Sequence, residues 1–333
     1  MTTDPQAMRQ RPFGKTGLTT PELMLGGGFV GGIMINSDED TRRTALNKVL
    51  DTGSDWIDTA TSYGNGQSET NIGRLLQEMP KERRPRVSSK IGLTSEDLKD
   101  PKSAVRKALE ASLERLQMDK LELYQLHNRI GWSGSQGRDW LTPYDILRPG
   151  GIADAFEAAQ EDGLTDFTGI TALGDTAAIR GIISSERFQS AQVYYNLLNP
   201  TAAVNPPPGF DTTDFRGLLG ACRTHGLGVI GIRILAAGVL ATNERHGREI
   251  PITDNSDPAT EDARAAAIWR LLGERDEPHA ATAIRYGLAN KDFSTIEFGA
   301  AEISHIDIAL AAQAAGPMEA DTLAKLATAF RTT

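Results

Sequence analysis

Along the 333 residues one phrase recurs. A short run of apolar, often β-branched residues gives way to a polar or glycine-rich break, and a longer stretch follows whose apolar positions return every three to four residues. The short runs have the length and composition of strands, and the longer stretches have helical periodicity. Strands are expected at 22–25, 55–58, 86–90, 121–127, 166–170, 191–195, 228–232 and 295–298. Helices are expected at 38–50, 69–78, 103–116, 152–162, 175–184, 214–225, 261–273, 279–289 and 304–315, with a last one near 318–330. In the third of these, Val105, Leu109, Leu113 and Leu116 share one face. Ser37 is the expected N-cap of the first helix, which should stop before Gly53.

Eight strands alternating with helices predict an α/β protein: a single (β/α)8 TIM barrel with an extra C-terminal helix and long loops on its C-terminal face. The barrel domain is expected over 13–333, and the polar segment 1–12 as a flexible N-terminal arm, without the apolar core of a secretory signal. The rival architecture is a doubly wound open sheet, for which Gly26, Gly28 and Gly31 supply a G-x-G-x-x-G match after a strand and Asp58 ends the next strand. That motif should open a helix directly, whereas here 29–36 intervenes, so the glycines read as a barrel-mouth loop that needs positive φ.

Charge and composition narrow the partners. A net charge of -9 argues against nucleic acid and anionic membranes, which need a basic footprint. The most apolar stretch, 227–241, contains Arg233 and falls short of the roughly 20 residues a membrane span requires. The single cysteine, Cys222, permits no internal disulfide, fits a reducing, cytoplasmic setting, and reads as a small buried hydrophobe. His225, His246, His279 and His305 lack ligand spacing with other donors, so no metal is expected. There is no G-x-S-x-G nucleophile elbow and no P-loop.

In such a barrel the chemistry sits beyond the strand ends. Three long loops, 128–151, 199–213 and 242–258, follow strand ends there. The first carries Trp132, Trp140 and Tyr144, a candidate substrate wall whose alternative is the packing of a folded flap. Asp58 ends the second strand, with Tyr63 just beyond it; Lys90 ends the third and His127 the fourth. Each alone has an ordinary structural explanation, but together, on consecutive units, they suit reversible protonation of a carbonyl oxygen. A free tyrosine has a pKa of about 10, too high for easy exchange at neutral pH. An ammonium from Lys90 would lower it, Asp58 would keep Lys90 charged, and His127 would orient the carbonyl.

The segment 56–76, with Asp-Thr-Ala-x-x-Tyr-Gly-Asn-Gly-x-Ser-Glu, resembles the aldo-keto reductases, as do Ser89-Lys90, Ser112-Leu-x-Arg-Leu116 and 123–127. The resemblance continues through Gly163, Gly169, 192–198 and 226–240, and so covers nearly the whole chain. The stretches 194–199 and 232–238 look like the branch that includes bacterial sugar and aldose dehydrogenases. The resemblance implies an oxidoreductase with Asp58, Tyr63, Lys90 and His127 as catalytic tetrad and Tyr63 as general acid or base. It implies a nicotinamide cofactor lying across the barrel mouth, with Gln192 on the carboxamide and a small carbonyl or alcohol as substrate: a sugar, keto-sugar or aldehyde.

Several cofactor positions depart from the family pattern. Thr171-Ala172 replaces a usual Ser-Asn pair, and Ile232-Arg233 replaces an aromatic followed by Ser. Arg233 suits the cofactor pyrophosphate, an anionic substrate or a structural ion pair, and Leu235 lies in the same loop. Beyond the last strand, Gly299-Ala300-Ala301-Glu302 stands where NADPH users carry Arg or Lys and Ser. Glu302 would repel a 2′-phosphate and accept bonds from a ribose diol, which favours NAD(H), while Ser304 and His305 leave NADP(H) open. Two other functions fit the same residues: a cofactor-binding redox-sensing subunit with little turnover, and a barrel lyase or hydrolase using Asp58 and Lys90 without nicotinamide.

Overall fold

The computed structural model describes residues 8–132, 140–242, 244–245 and 247–332. Its centre is a closed barrel of eight parallel strands: β3 (Leu23–Gly26), β4 (Trp56–Asp58), β5 (Arg86–Ile91), β6 (Leu121–Leu126), β7 (Thr165–Thr171), β8 (Ser190–Tyr194), β9 (Gly228–Ile232) and β10 (Thr295–Gly299). Consecutive strands are neighbours, and β10 closes onto β3 with Glu297 opposite Met24 and Gly299 opposite Gly26. All eight expected strands are present, so the open-sheet alternative falls.

Inside the barrel the strand period of two sorts side chains by height. Low on the strands, Met24, Trp56, Leu123 and Ile230 form a buried apolar cluster with Phe13. Phe13 reaches it from the turn of a hairpin, β1 (Gln10–Pro12) against β2 (Thr19–Pro21), and meets Trp56 with ring centroids 5.1 Å apart. Residues 10–12, expected within the arm, are therefore a strand of that hairpin, fastened by Arg11 to the buried Glu22 carboxylate at 2.9 Å. One inward step up β4 and β6 the chemistry changes: Trp56 is followed by Asp58, and Leu123 by Gln125 and then His127. The apolar plug closes the bottom and leaves the polar layer at the C-terminal mouth.

The helices are α1 (Ile33–Asn36), α2 (Glu39–Asp51), α3 (Gln67–Glu78), α4 (Pro101–Leu116), α5 (Pro143–Leu147), α6 (Ile152–Glu161), α7 (Thr176–Ser184), α8 (Leu218–His225), α9 (Pro258–Leu272), α10 (His279–Ala289), α11 (Ile303–Ala315) and α12 (Ala320–Thr332). In α4 the apolar stripe is buried as expected, with Val105, Leu109 and Leu116 at 0% exposure. The cap of α2 is Asp38 and not Ser37: its carboxylate accepts from Thr41 N at 2.8 Å. The short helices α1 and α5 carry no periodicity long enough to announce themselves. Cys222 is buried. Among the described residues no helix is long and apolar enough to cross a membrane, and no cluster of metal ligands is present; His246 lies outside the described residues.

The glycines of the G-x-G-x-x-G match serve close approach, and the positive φ expected of them falls instead on Gly32, at 76°. A Cβ on Gly31 would lie 2.5 Å from the backbone nitrogen of Ala300, and one on Gly26 would lie 2.1 Å from the carboxyl of Glu297.

Candidate active site

The mouth is built from consecutive strand ends. Asp58, at the end of β4, is fully buried, as is Lys90 on β5. The Lys90 ammonium donates to the Asp58 carboxylate, to the carbonyl of Thr59 at 2.8 Å, and to Tyr63 Oη at 3.2 Å. Asp58 also accepts from Ser88 Oγ at 2.7 Å and Gln192 Nε2 at 3.2 Å. These contacts hold the ammonium against the phenol, 4.7 Å from the ring centroid. His127 follows β6 and stands edge-on to Tyr63, with ring centroids 5.7 Å apart and planes at 83°. Its Nδ1 is 3.4 Å from Ser62 Oγ. Asp58, Tyr63, Lys90 and His127 are thus brought together at one mouth.

The electrostatics refine the sequence argument. Burial pulls the Lys90 ammonium down, but Asp58 and then Tyr63 and Glu297 outweigh it, so Lys90 stays charged well above the usual lysine value. For Tyr63, burial raises the phenol and Lys90 lowers it, with Glu297 and Asp58 adding to the rise; the net result is above the usual tyrosine value. The expected lowering by Lys90 exists, yet in the free protein it is outweighed, and Tyr63 holds its proton at neutral pH. Burial, assisted by Lys90, pushes His127 down to about 3, so its imidazole is neutral. The mouth therefore offers a protonated phenol over a fixed cation beside a neutral imidazole, a set able to donate a proton to an oxygen that is gaining negative charge.

The expected cofactor residues divide into groups. Thr171 ends β7 in register with Gln192 on β8, and its buried hydroxyl has no partner among the described residues. An orphaned buried hydroxyl beside Gln192 fits a carboxamide as ligand, since such a group is costly to leave unpaired. Ile232 ends β9 and Leu235 follows in the same loop, both partly exposed. Arg233 has a left-handed backbone, φ 61°, and its guanidinium donates to the carbonyl of Ile250 at 2.9 Å. Arg129 donates to Ile252 and Arg248 to Val30, at 3.0 and 3.1 Å, so the 242–258 loop is tied to the loops beyond β3, β6 and β9. At the end of β10 Gly299 is exposed, and Ala300 just past it is buried. Glu302 occupies the N-cap position of α11 but turns to Ser304 Oγ at 2.6 Å, while His305 Nδ1 accepts from Ala301 N at 3.2 Å. Glu302 is 67% exposed and 3.5 Å from the His305 ring.

Of the aromatic wall, Trp132 is exposed and Trp140 packs over Gly131 with its ring 5.7 Å from the Arg129 guanidinium. Residues 133–139 between them lie outside the described residues. Two side chains at the mouth escaped the sequence reading. Ser88 and Glu297 both contact the Asp58 carboxyl. A serine gives no signal in a strand. Glu297 did give one: a carboxylate inside an otherwise apolar barrel strand.

A closed parallel barrel thus holds Asp58, Tyr63, Lys90 and His127 together at its C-terminal mouth. The chain belongs to the aldo/keto reductase family, whose family model matches residues 22–329. Among its relatives is L-galactose dehydrogenase of Arabidopsis thaliana, 25% identical over 303 residues covering 91% of this chain and 87% of that protein. The fold is shared with the aldo-keto reductase AKR11C1 from Bacillus halodurans in its holo form, with a TM-score of 0.73, 23% identity and coverage of 98% and 97% of the two chains. It is also shared with an aldo/keto reductase from Klebsiella pneumoniae in complex with NADP and acetate: TM-score 0.67, 21% identity, coverage 97% and 96%.

Proposed function

We propose that this chain interconverts a carbonyl and an alcohol on a small substrate of the sugar, keto-sugar or aldehyde class, using a nicotinamide dinucleotide. When bound, the cofactor supplies or accepts the hydride. Tyr63 handles the proton: in reduction its Oη–H passes to the carbonyl oxygen, and in oxidation the phenolate takes it back from the alcohol. Lys90 stabilises the phenolate that reduction leaves behind, Asp58 fixes Lys90, and the neutral His127 orients the carbonyl as a hydrogen-bond donor. Thr171 and Gln192 are assigned to the carboxamide, and the loops carrying Ile232, Arg233, Leu235, Gly299, Ala300, Glu302 and His305 to the rest of the cofactor. Trp132 and Trp140 are assigned to the substrate side. The observation that carries this reading is the 3.2 Å contact between the ammonium of Lys90 and the phenol of Tyr63.

The sugar class is supported by the L-galactose dehydrogenase relative. For the cofactor, two considerations pull against the preference for NAD(H) expected from Glu302. The Klebsiella neighbour holds NADP. Glu302 is also largely exposed and next to His305, so its charge is screened and an imidazole stands ready for a phosphate. We therefore propose a site that accepts both cofactors, with Glu302 as the discriminating residue. The test is fluorescence titration with NADH and NADPH, followed by a turnover screen of aldoses, keto-sugars and aldehydes. Binding of at least one cofactor with turnover of a carbonyl or alcohol is expected. Failure to bind either one sinks the reading, and binding without any turnover would favour a redox-sensing subunit instead.

A further inference from the structure

One acidic side chain at the mouth has no part in the proton transfer above. Glu297 lies on β10 with its carboxyl over Gly26, so close that a Cβ there would sit 2.1 Å from Oε1. Gly26 is in register with Asp58 on β4, so the Glu297 carboxyl faces that of Asp58 across β3. Asp58 is fully buried and already takes Lys90, Ser88 and Gln192. Two ionised carboxylates in contact at such a place repel strongly, whereas a single proton between them replaces the repulsion with a hydrogen bond.

The charged or titratable groups facing Glu297 are Asp58 on β4, Lys90 on β5, Tyr63 beyond β4 and Arg233 beyond β9. Its neighbours in the barrel, β3 and β9, contribute no ionisable side chain within the strands. The nearest ammonium, Lys90, is committed to Asp58, Thr59 and Tyr63. Burial and the charge of Asp58 push Glu297 up to about 8. The same Asp58 oxygen that accepts from Ser88 also accepts from Gln192, the residue assigned to the nicotinamide carboxamide, so Glu297 stands one carboxyl away from the ring's binding place.

We propose that Glu297 is a positioning residue that shares a proton with Asp58 in the free protein and releases it to solvent when an oxidised, cationic nicotinamide ring binds, so that it selects the oxidised cofactor over the reduced one. The proposal rests on the nicotinamide reading above. The balance is simple: one positive charge arrives with the oxidised ring, one proton leaves the Glu297 carboxyl, and no electrons move. The reduced ring is neutral and displaces no proton.

The test has two arms on the full chain. In the free protein, carbon-13 labelled glutamate carboxyls are titrated by NMR. One is expected to titrate near pH 8 and to be missing from Glu297→Gln. A Glu297 carboxyl titrating in the ordinary range around 4 overturns the shared proton. In the second arm, calorimetry near neutral pH in two buffers of different ionisation enthalpy counts protons released on binding. About one is expected with the oxidised cofactor and none with the reduced, and Glu297→Gln should abolish the release and shift the oxidised-to-reduced affinity ratio roughly tenfold against the oxidised form. A purely structural role would weaken both forms equally and leave the proton count alone, and that outcome overturns the selection. If neither cofactor binds the wild type, the nicotinamide reading and the selection fall together, while the NMR titration still decides the shared proton.

Discussion

Replacing Lys90 by methionine removes the ammonium while keeping most of the side chain's length. The charge sits 3.2 Å from Tyr63 Oη. At an effective dielectric of about 20, a unit charge at that distance acts on the phenolate with at most about 5 kcal/mol, or about 4 pKa units at 1.36 kcal/mol each. Part of this is returned, because burial already dominates the Tyr63 proton affinity and local rearrangement screens the carboxylates that also raise it. The expectation is that the Tyr63 pKa rises by about 2 units in Lys90→Met. In alcohol oxidation, kcat/KM climbs with pH as the phenolate forms, so this limb should move to higher pH by that amount, and turnover near neutrality should drop by about 10²–10⁴. Leaving Asp58 buried without its partner costs about 3–5 kcal/mol of stability. The Lys90→Met/Asp58→Asn double variant is therefore measured beside it, with stability expected to return and turnover not. A basic limb at its wild-type position in a folded Lys90→Met protein would refute the electrostatic coupling of Lys90 to Tyr63.

Other perturbations reach different parts of the account. Glu302→Arg should raise the kcat/KM ratio for NADPH over NADH by about tenfold or more, and an unchanged ratio would remove Glu302 from cofactor discrimination. Gly26→Ala drives a methyl into the Glu297 carboxyl; a loss of about 1–3 kcal/mol in denaturant unfolding is expected, and Glu297→Ala in the same chain should recover most of it. His127 is half-buried and neutral, its pKa pushed down to about 3 by desolvation, so the unfolded chain binds a proton there below about 6.5 that the native state refuses. Stability should accordingly fall as pH drops from about 6.5 toward 3, and His127→Gln should flatten that slope; an identical slope in the variant would count against the neutral imidazole.

The barrel was legible because each strand is short, apolar and bounded by a turn, and because each helix shows one apolar face, as in Val105, Leu109, Leu113 and Leu116. The clustering of Asp58, Tyr63, Lys90 and His127 was legible for a related reason: Asp58, Lys90 and His127 lie at or next to strand ends on consecutive units, and closure of the barrel converts that spacing into proximity. What escaped depends on partners distant in sequence. Nothing local marks Asp38 over Ser37 as the cap, since both are good caps and only the bond to Thr41 N decides. The role of Gly26 is set by Glu297, 271 positions away, through the β10–β3 closure. The Tyr63 proton affinity depends on the balance between burial and Lys90, and a sequence names the cation without giving the burial.

The most direct test of the central claim is Tyr63→Phe, which deletes one oxygen and leaves the ring against His127. Steady-state turnover of the best substrate from the screen is compared with that of the wild type, alongside cofactor titration of both proteins. The account predicts cofactor affinity within a few fold of wild type and turnover reduced by at least about 10²-fold, the scale of a lost general acid. Wild-type turnover in a folded Tyr63→Phe protein would contradict it.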